Sequence, residues 1–241
     1  MNSDNPVLVF VHYFGGDSGS WQWLIKRLRK KYTCIPLNLP GFGNSEPLET
    51  LSLSTFANWI NEQIELLEIE NYILIGHSMG GKMSLYASSI AKHNIPKKVI
   101  LIAPSPPTKE PMSAEEKKRM LKHPDRNESI TSVQNAIRRR IRPSKFSYAV
   151  ESQLKTDHDT WKWWINKGMN DDISLISKGS EIPITVICSK KDPVIPIDII
   201  ESEVLTHVKK AELLTLGRSG HLLPLECPRK LSRLITKVVN S

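Results

Sequence analysis

Apolar positions along this chain fall into two kinds of run, and the two kinds alternate. Short continuous runs rich in β-branched residues, such as Val7-Leu8-Val9-Phe10-Val11, Tyr72-Ile73-Leu74-Ile75 and Val99-Ile100-Leu101-Ile102-Ala103, have the length and composition of strands buried on both faces. Other stretches repeat at helical spacing: Trp21, Leu24, Ile25 and Leu28 within 20–30, and Phe56, Ile60, Ile64 and Leu67 within 53–67. In order, the pattern predicts a strand over 7–11, a helix over 20–30, a strand over 32–37, a helix over 53–67, a strand ending before Ser78, a helix over 79–93 and a strand over 99–103. Later come a strand over 183–188, a helix near 197–206, a strand over 211–216 and a last helix after Pro228. Strand and helix in strict alternation imply a parallel sheet with helices on both faces.

Between these two blocks the alternation stops, and the composition turns to Pro, Lys, Arg, Glu and scattered aromatics with several helical segments. The expected organisation is therefore a core formed by 1–104 and 182–241, with an inserted helical cap at 105–181. A length of 241 residues with 39% hydrophobic content suits one such domain. No run of about 18 apolar residues is present, so no membrane span is expected. Met1 to Pro6 lacks the basic and apolar regions of a secretory signal, which gives a cytoplasmic expectation. Cys34, Cys188 and Cys227 are odd in number and widely spaced, against a disulfide scaffold or a zinc cluster. The formal charge of +8 is scattered except at Arg138, Arg139, Arg140 and Arg142, where a solvated helix face accounts for it, so no nucleic-acid partner is expected.

The candidate chemistry begins at Gly76-His77-Ser78-Met79-Gly80, which follows an apolar run and opens a helix of small residues. A Gly-x-Ser-x-Gly turn between strand and helix is the nucleophile elbow, in which a strained backbone exposes the serine hydroxyl. The alternative reading of Ser78 is an ordinary helix cap. A serine hydroxyl needs a base to take its proton and an acid to orient that base. Asp192, just beyond the strand over 183–188, and His221, beyond the strand over 211–216, supply these types at the carboxyl ends of predicted strands, where parallel sheets hold their ligands. Asp192, before Pro193, also suits a turn, and His221 also suits the surface.

Ser, then Asp, then His is the chain order associated with the elbow. On these residues the chain resembles the α/β-hydrolase superfamily, specifically its small capped serine hydrolases of carboxylesterase type. The resemblance implies an α/β-hydrolase fold with a mostly parallel sheet of about six strands, shortened because only six residues precede Val7, where the family usually begins with an antiparallel strand pair. It also implies that Ser78 attacks a carbonyl, that His221 shuttles the proton and that Asp192 supports His221. The oxyanion would be held by the backbone N–H groups of Met79 and of Phe14, in His12-Tyr13-Phe14-Gly15-Gly16, which departs from the family's His-Gly-x by carrying Tyr13. His12 and His77 would shape loops, and Asn38-Leu39-Pro40-Gly41-Phe42-Gly43-Asn44-Ser45 resembles the family's scaffold loop, with Asn38 in place of an acid. The implied substrate is a small-molecule carboxylic ester, with no metal or organic cofactor; Tyr13, Trp161 and Trp164 are candidates to line its pocket, ordinary packing onto the core being the other reading of the tryptophans. Lactones, thioesters, amides, perhydrolysis, C–C hydrolysis or lyase chemistry, and a non-enzymatic small-molecule receptor stay open at this level, as does the oligomeric state.

Overall fold

In the computed structural model, which describes residues 5–241, six strands pair side by side. They are β1 (Val7–Val11), β2 (Cys34–Leu37), β3 (Tyr72–His77), β4 (Lys98–Ile102), β5 (Ile184–Ser189) and β6 (Glu212–Leu216), in the order β2-β1-β3-β4-β5-β6, every pair parallel. The helices between and after the first strands are α1 (Gln22–Leu28), α2 (Leu53–Leu66) and α3 (Met79–Ile90). Between β4 and β5 come α4 (Ala114–Met120), α5 (Arg126–Ala136), α6 (Pro143–Leu154), α7 (His158–Asn166) and α8 (Ser174–Ser177), and after β5 come α9 (Ile197–Ile199), α10 (Leu223–Glu226) and α11 (Pro228–Val239).

Successive side chains of a strand point to opposite faces, so one apolar run serves two layers. Leu8 and Phe10, Ile73 and Ile75, and Ile100 and Ile102 pack with Leu24 of α1 and Leu231 and Ile235 of α11. Val9 and Val11, Leu74, Val99 and Leu101 pack on the other face with Phe56 and Ile60 of α2 and Met83 of α3. Each such side chain, taken out of water, contributes about 1.5–3 kcal/mol. The tryptophans of α7 join this second layer, Trp163 stacking on Phe56 at 5.1 Å between ring centroids, so the segment between β4 and β5 is packed into the main core.

The structure redraws some boundaries. The helix expected from 20 begins as a tight turn, Ser18–Trp21, because the Asp17 carboxylate accepts from the Gly19 N–H at 2.9 Å and caps it. The strand expected from Tyr32 begins at Cys34, and α3 ends at Ile90 rather than His93, Ala91 taking extended backbone. The helix expected near 197–206 is α9, widening into a looser turn through Val204. One turn, α10, had no sequence signal, being too short to establish a period. Residues 1–4 lie outside the described residues, and the described residues form the expected sheet of about six strands.

Strand β1 lies between β2 and β3, so the chain leaves it on one side and returns on the other. A crevice opens at the carboxyl ends there, and α3 approaches β1 closely: a Cβ on Gly80 would lie 2.3 Å from the His12 carbonyl oxygen. His12 pins the neighbouring loop. Its Nε2 accepts from the Leu39 N–H at 3.2 Å, so Nδ1 carries the hydrogen and donates to the Tyr13 carbonyl at 2.9 Å. Burial lowers its pKa to about 4, and the ring is neutral.

Gly80→Ala is expected to cost about 1–3 kcal/mol or more, the range for overpacking, measured as a lower urea midpoint at constant slope. An unchanged midpoint would mean that β1 and α3 can part freely. For His12, the unfolded chain binds a proton near pH 6.5 and the folded one only near 4, so the stability it contributes is whole above pH 6.5 and is lost as pH falls through about 4. That difference is worth about 3 kcal/mol. Urea midpoints of the wild type should therefore fall more steeply across this window than those of His12→Gln, and parallel curves would remove His12 as the cause.

Candidate active site

Ser78 sits between β3 and α3 with φ 54° and ψ −121°, a left-handed-side conformation that costs a non-glycine residue about 1–3 kcal/mol. Its backbone is held at both ends. The Ser78 N–H donates to the Ile102 carbonyl at 3.0 Å, and the Ser78 carbonyl accepts from the N–H groups of Gly81 at 2.8 Å, Lys82 at 3.2 Å and Ser105 at 3.1 Å. Gly76 leaves the space the turn needs, since a Cβ there would lie 2.3 Å from the Gly80 carbonyl oxygen.

The structure brings Ser78, His221 and Asp192 together. The Ser78 hydroxyl lies 2.8 Å from His221 Nε2, and His221 Nδ1 lies 2.9 Å from Asp192 Oδ2. An ionised carboxylate only accepts, so Nδ1 carries the hydrogen and Nε2 is free to accept from Ser78. The other Asp192 oxygen accepts from the N–H groups of Val194 at 2.9 Å and Ile195 at 3.0 Å, a turn that aims the carboxylate. Burial alone would lower the His221 pKa, but the charge and hydrogen bond of Asp192, with the charges of Glu110 and Glu226, raise it above 6.5.

Neighbouring backbone fixes the His221 loop. His77 Nε2 donates to the His221 carbonyl at 2.9 Å, and the His221 N–H donates to the Ala136 carbonyl at the end of α5 at 2.7 Å. Glu226 of α10 gathers three N–H groups on one oxygen, from Gly220 at 2.8 Å and from Arg138 and Arg139 at 3.0 Å each. The arginine backbone, and not the guanidinium groups, thus touches this loop.

A cavity of about 100 Å³ opens beside Ser78 and His221. Tyr13, Phe14 and Trp164 line it, whereas Trp161 does not: it stands behind Phe14, at 4.2 Å between ring centroids, stacked on His123 and donating its indole N–H to the Met120 carbonyl. Met79 begins α3, so its N–H has no acceptor within the helix. Phe14 is a central residue of the turn closed by the Gly16 N–H to the Tyr13 carbonyl at 2.9 Å, with Gly15 at φ 75°. Sequence reasoning missed Glu110, Met112, Met120, Gln153, Val194 and Leu222 on the walls. Val194 and Leu222 could have been found by their closeness to Asp192 and His221, but the others lie in the aperiodic segment and carried no signal. Among the described residues, no group of three or more His, Cys, Asp or Glu is arranged to hold a metal ion, and no helix is long and apolar enough to cross a membrane.

Known proteins resemble this chain at several depths. The uncharacterized hydrolase YugF of Bacillus subtilis is 36% identical over 107 residues, 44% of this chain and 39% of that protein, so the match spans about two fifths of the relative's length. The AB hydrolase superfamily protein YisY of the same organism is 24% identical across 97% of this chain and 91% of its own. The solved structure of the esterase EaEST from Exiguobacterium antarcticum superposes with a TM-score of 0.90 at 19% identity, covering 98% of this chain and 92% of that one, which shows a shared fold. The model of the alpha/beta hydrolase fold family matches residues 6–163, well over half of the chain, and with the six-stranded parallel sheet it establishes that this protein belongs to the alpha/beta hydrolase fold family.

Proposed function

We propose that this protein is a serine hydrolase that cleaves small carboxylic esters with short acyl groups through an acyl-enzyme at Ser78. The observation that carries the reading is the chain of contacts from Ser78 Oγ through His221 to Asp192, at 2.8 and 2.9 Å, at the edge of a cavity. The resemblance to an esterase of the same fold supports it.

The chemistry runs through the residues present. His221 Nε2 takes the Ser78 proton as Oγ attacks the ester carbonyl, and the Asp192 carboxylate steadies the imidazolium. The oxyanion lies against the backbone N–H groups of Met79 and Phe14, fixed dipoles that need no reorganisation. The C–O bond to the alcohol then breaks, and His221 returns its proton to the departing oxygen. Water, deprotonated by His221, attacks the acyl-serine; the bond from the acyl carbon to Oγ breaks, His221 gives its proton to Oγ, and the acid leaves with Ser78 regenerated. The helices between β4 and β5 act as a cap that keeps bulk water from this site. The cavity, about 100 Å³, is smaller than the roughly 150 Å³ that holds a benzene ring, which favours short acyl chains.

A fluorophosphonate probe should label the wild type and not Ser78→Ala, and p-nitrophenyl acetate or butyrate should be turned over at least about tenfold faster than the octanoate, one misfit methylene being worth about tenfold. Labelling of Ser78→Ala, or no labelling and no turnover in the wild type, would overturn the reading. Asp192→Asn should reduce kcat about 10³–10⁴-fold by favouring the wrong imidazole tautomer. Because the free enzyme must hold His221 neutral to act as base, and its pKa is raised, the acidic limb of kcat/KM against pH should lie above 6.5. A limb at or below that value would contradict the arrangement of charges around His221.

A further inference from the structure

The wall of the cavity holds a carboxyl group that the reaction above does not use. Glu110 lies on the segment between β4 and α4, is only 6% exposed, and lines the cavity together with Ser78 and His221. Its Oε2 has no hydrogen-bond partner among the described residues. Its backbone is fixed, the N–H donating to the Met169 carbonyl at 2.8 Å, so the side chain is delivered to this place by ordered structure. Glu116 lines the same cavity but is more exposed and is paired with Arg119. Lys82, buried nearby, spends its ammonium on the Thr108 carbonyl at 2.9 Å. Burial pushes the Glu110 carboxyl above the usual carboxylate range, against the opposing hydrogen-bonding influence of the Ser105 hydroxyl and the charges of His221 and Lys82, which leave Oε2 unmet. A buried polar atom without a partner is costly, and such groups in a cleft mark functional sites.

The side of the site that Glu110 occupies can be assigned. An outer cleft of about 410 Å³ shares Glu110, Met112, Glu116 and Val194 with the inner cavity, and continues over Pro193 and Arg138. Glu110 therefore stands at the throat between the two, on the side where Pro193 and Val194 follow Asp192. His221 hands its proton to the departing alcohol, so the part of the substrate that runs past His221 toward this throat is the alcohol. The inner end, against Phe14 and Trp164, is left for the acyl group.

We propose that Glu110 is a specificity-determining residue that accepts a hydrogen bond from a donor, a hydroxyl or a protonated amine, on the alcohol portion of the ester. This rests on the ester-hydrolase reading and deepens it: the preferred substrates are esters of diols or amino alcohols, and an ester of a plain alkanol leaves Glu110 Oε2 without a donor. Glutamine keeps an acceptor oxygen of the same reach without the charge, and methionine removes the acceptor at similar volume, so the two substitutions separate hydrogen bonding from charge.

The test compares butyl butyrate, hydroxypropyl butyrate and dimethylaminopropyl butyrate by pH-stat on wild type, Glu110→Gln and Glu110→Met, with fluorophosphonate labelling of Ser78 in each. For the protonated amine, kcat/KM relative to butyl butyrate should fall about ten- to hundredfold in both variants, the scale of a charge-assisted hydrogen bond. For the hydroxyl ester the ratio should fall about three- to tenfold in Glu110→Met and largely recover in Glu110→Gln. Protection offers a second measurement: dimethylaminopropanol should slow labelling of the wild type more than butanol does, and lose that advantage in both variants. Variants that label normally and lower all three esters alike, or that leave the ratios unchanged, overturn the role of Glu110 while leaving Ser78 as nucleophile. Absence of labelling and of turnover in the wild type overturns the ester-hydrolase reading and this inference with it.

Discussion

The backbone at Ser78 is the constraint on which the rest depends. A serine at φ 54° is unfavourable by about 1–3 kcal/mol, and a three-residue turn has no means of its own to hold it. Register does so. Gly76 of β3 stands beside Val11 of β1, and His77 beside Ile102 of β4, so both neighbouring strands end level with the turn. The Ile102 carbonyl then meets the Ser78 N–H, and the chain after β1 turns at Phe14 beside the start of α3. Burying the strand residues on either side contributes about 1.5–3 kcal/mol for each large apolar side chain. Several of them outweigh the strain, so the turn persists as a consequence of core packing.

A parallel sheet alone would still leave the His221 loop loosely held, because that loop follows β6, an edge strand whose residues are partly exposed. The segment between β4 and β5 supplies the missing contacts. Ala136 receives the His221 N–H, Ser152 donates its hydroxyl to the Gly15 carbonyl at 2.9 Å, the Asp157 N–H reaches the Gly41 carbonyl at 2.7 Å, and Lys82 draws in the Thr108 carbonyl. These attachments reach three of the loops that surround Ser78. The helices between β4 and β5 therefore brace the loops of the site, and α5, α6 and α7 do so through buried residues while α4 buries none.

How much of this could be read beforehand depended on whether a signal is local. Strands β1, β3, β4 and β5 were legible because strands buried on both faces read as unbroken apolar runs. Ser78 was legible from its glycines, and Asp192 and His221 from their places after predicted strands. Trp161 and Trp164 were not separable: three apart on a helix, they share a face, and only the position of His123 and Phe14 decides that Trp161 stands behind the wall and Trp164 on it. Arg138 and Arg139 invited attention for their charge, yet it is their N–H groups that bond to Glu226. Such a contact depends on the path of a chain far away in sequence and leaves no periodicity to find.

Asp192 and Glu110 carry the same functional group into the same buried region, and their surroundings make them unlike. Asp192 has two backbone N–H donors on one oxygen and the imidazole on the other, so its negative charge is met at every approach it needs. Glu110 has one oxygen with no donor among the described residues, and burial that favours its neutral form. If the fold needed only shape at position 110, an apolar side chain would fill it without the cost of an unmet polar atom. The Ser105 hydroxyl and the nearby charges of His221 and Lys82 ease the burial of this carboxyl, but Oε2 still lacks a donor, which a group entering beside Val194 would supply. Environment, more than residue type, thus divides the two carboxyl groups: one is committed to the histidine, the other stands open to what enters.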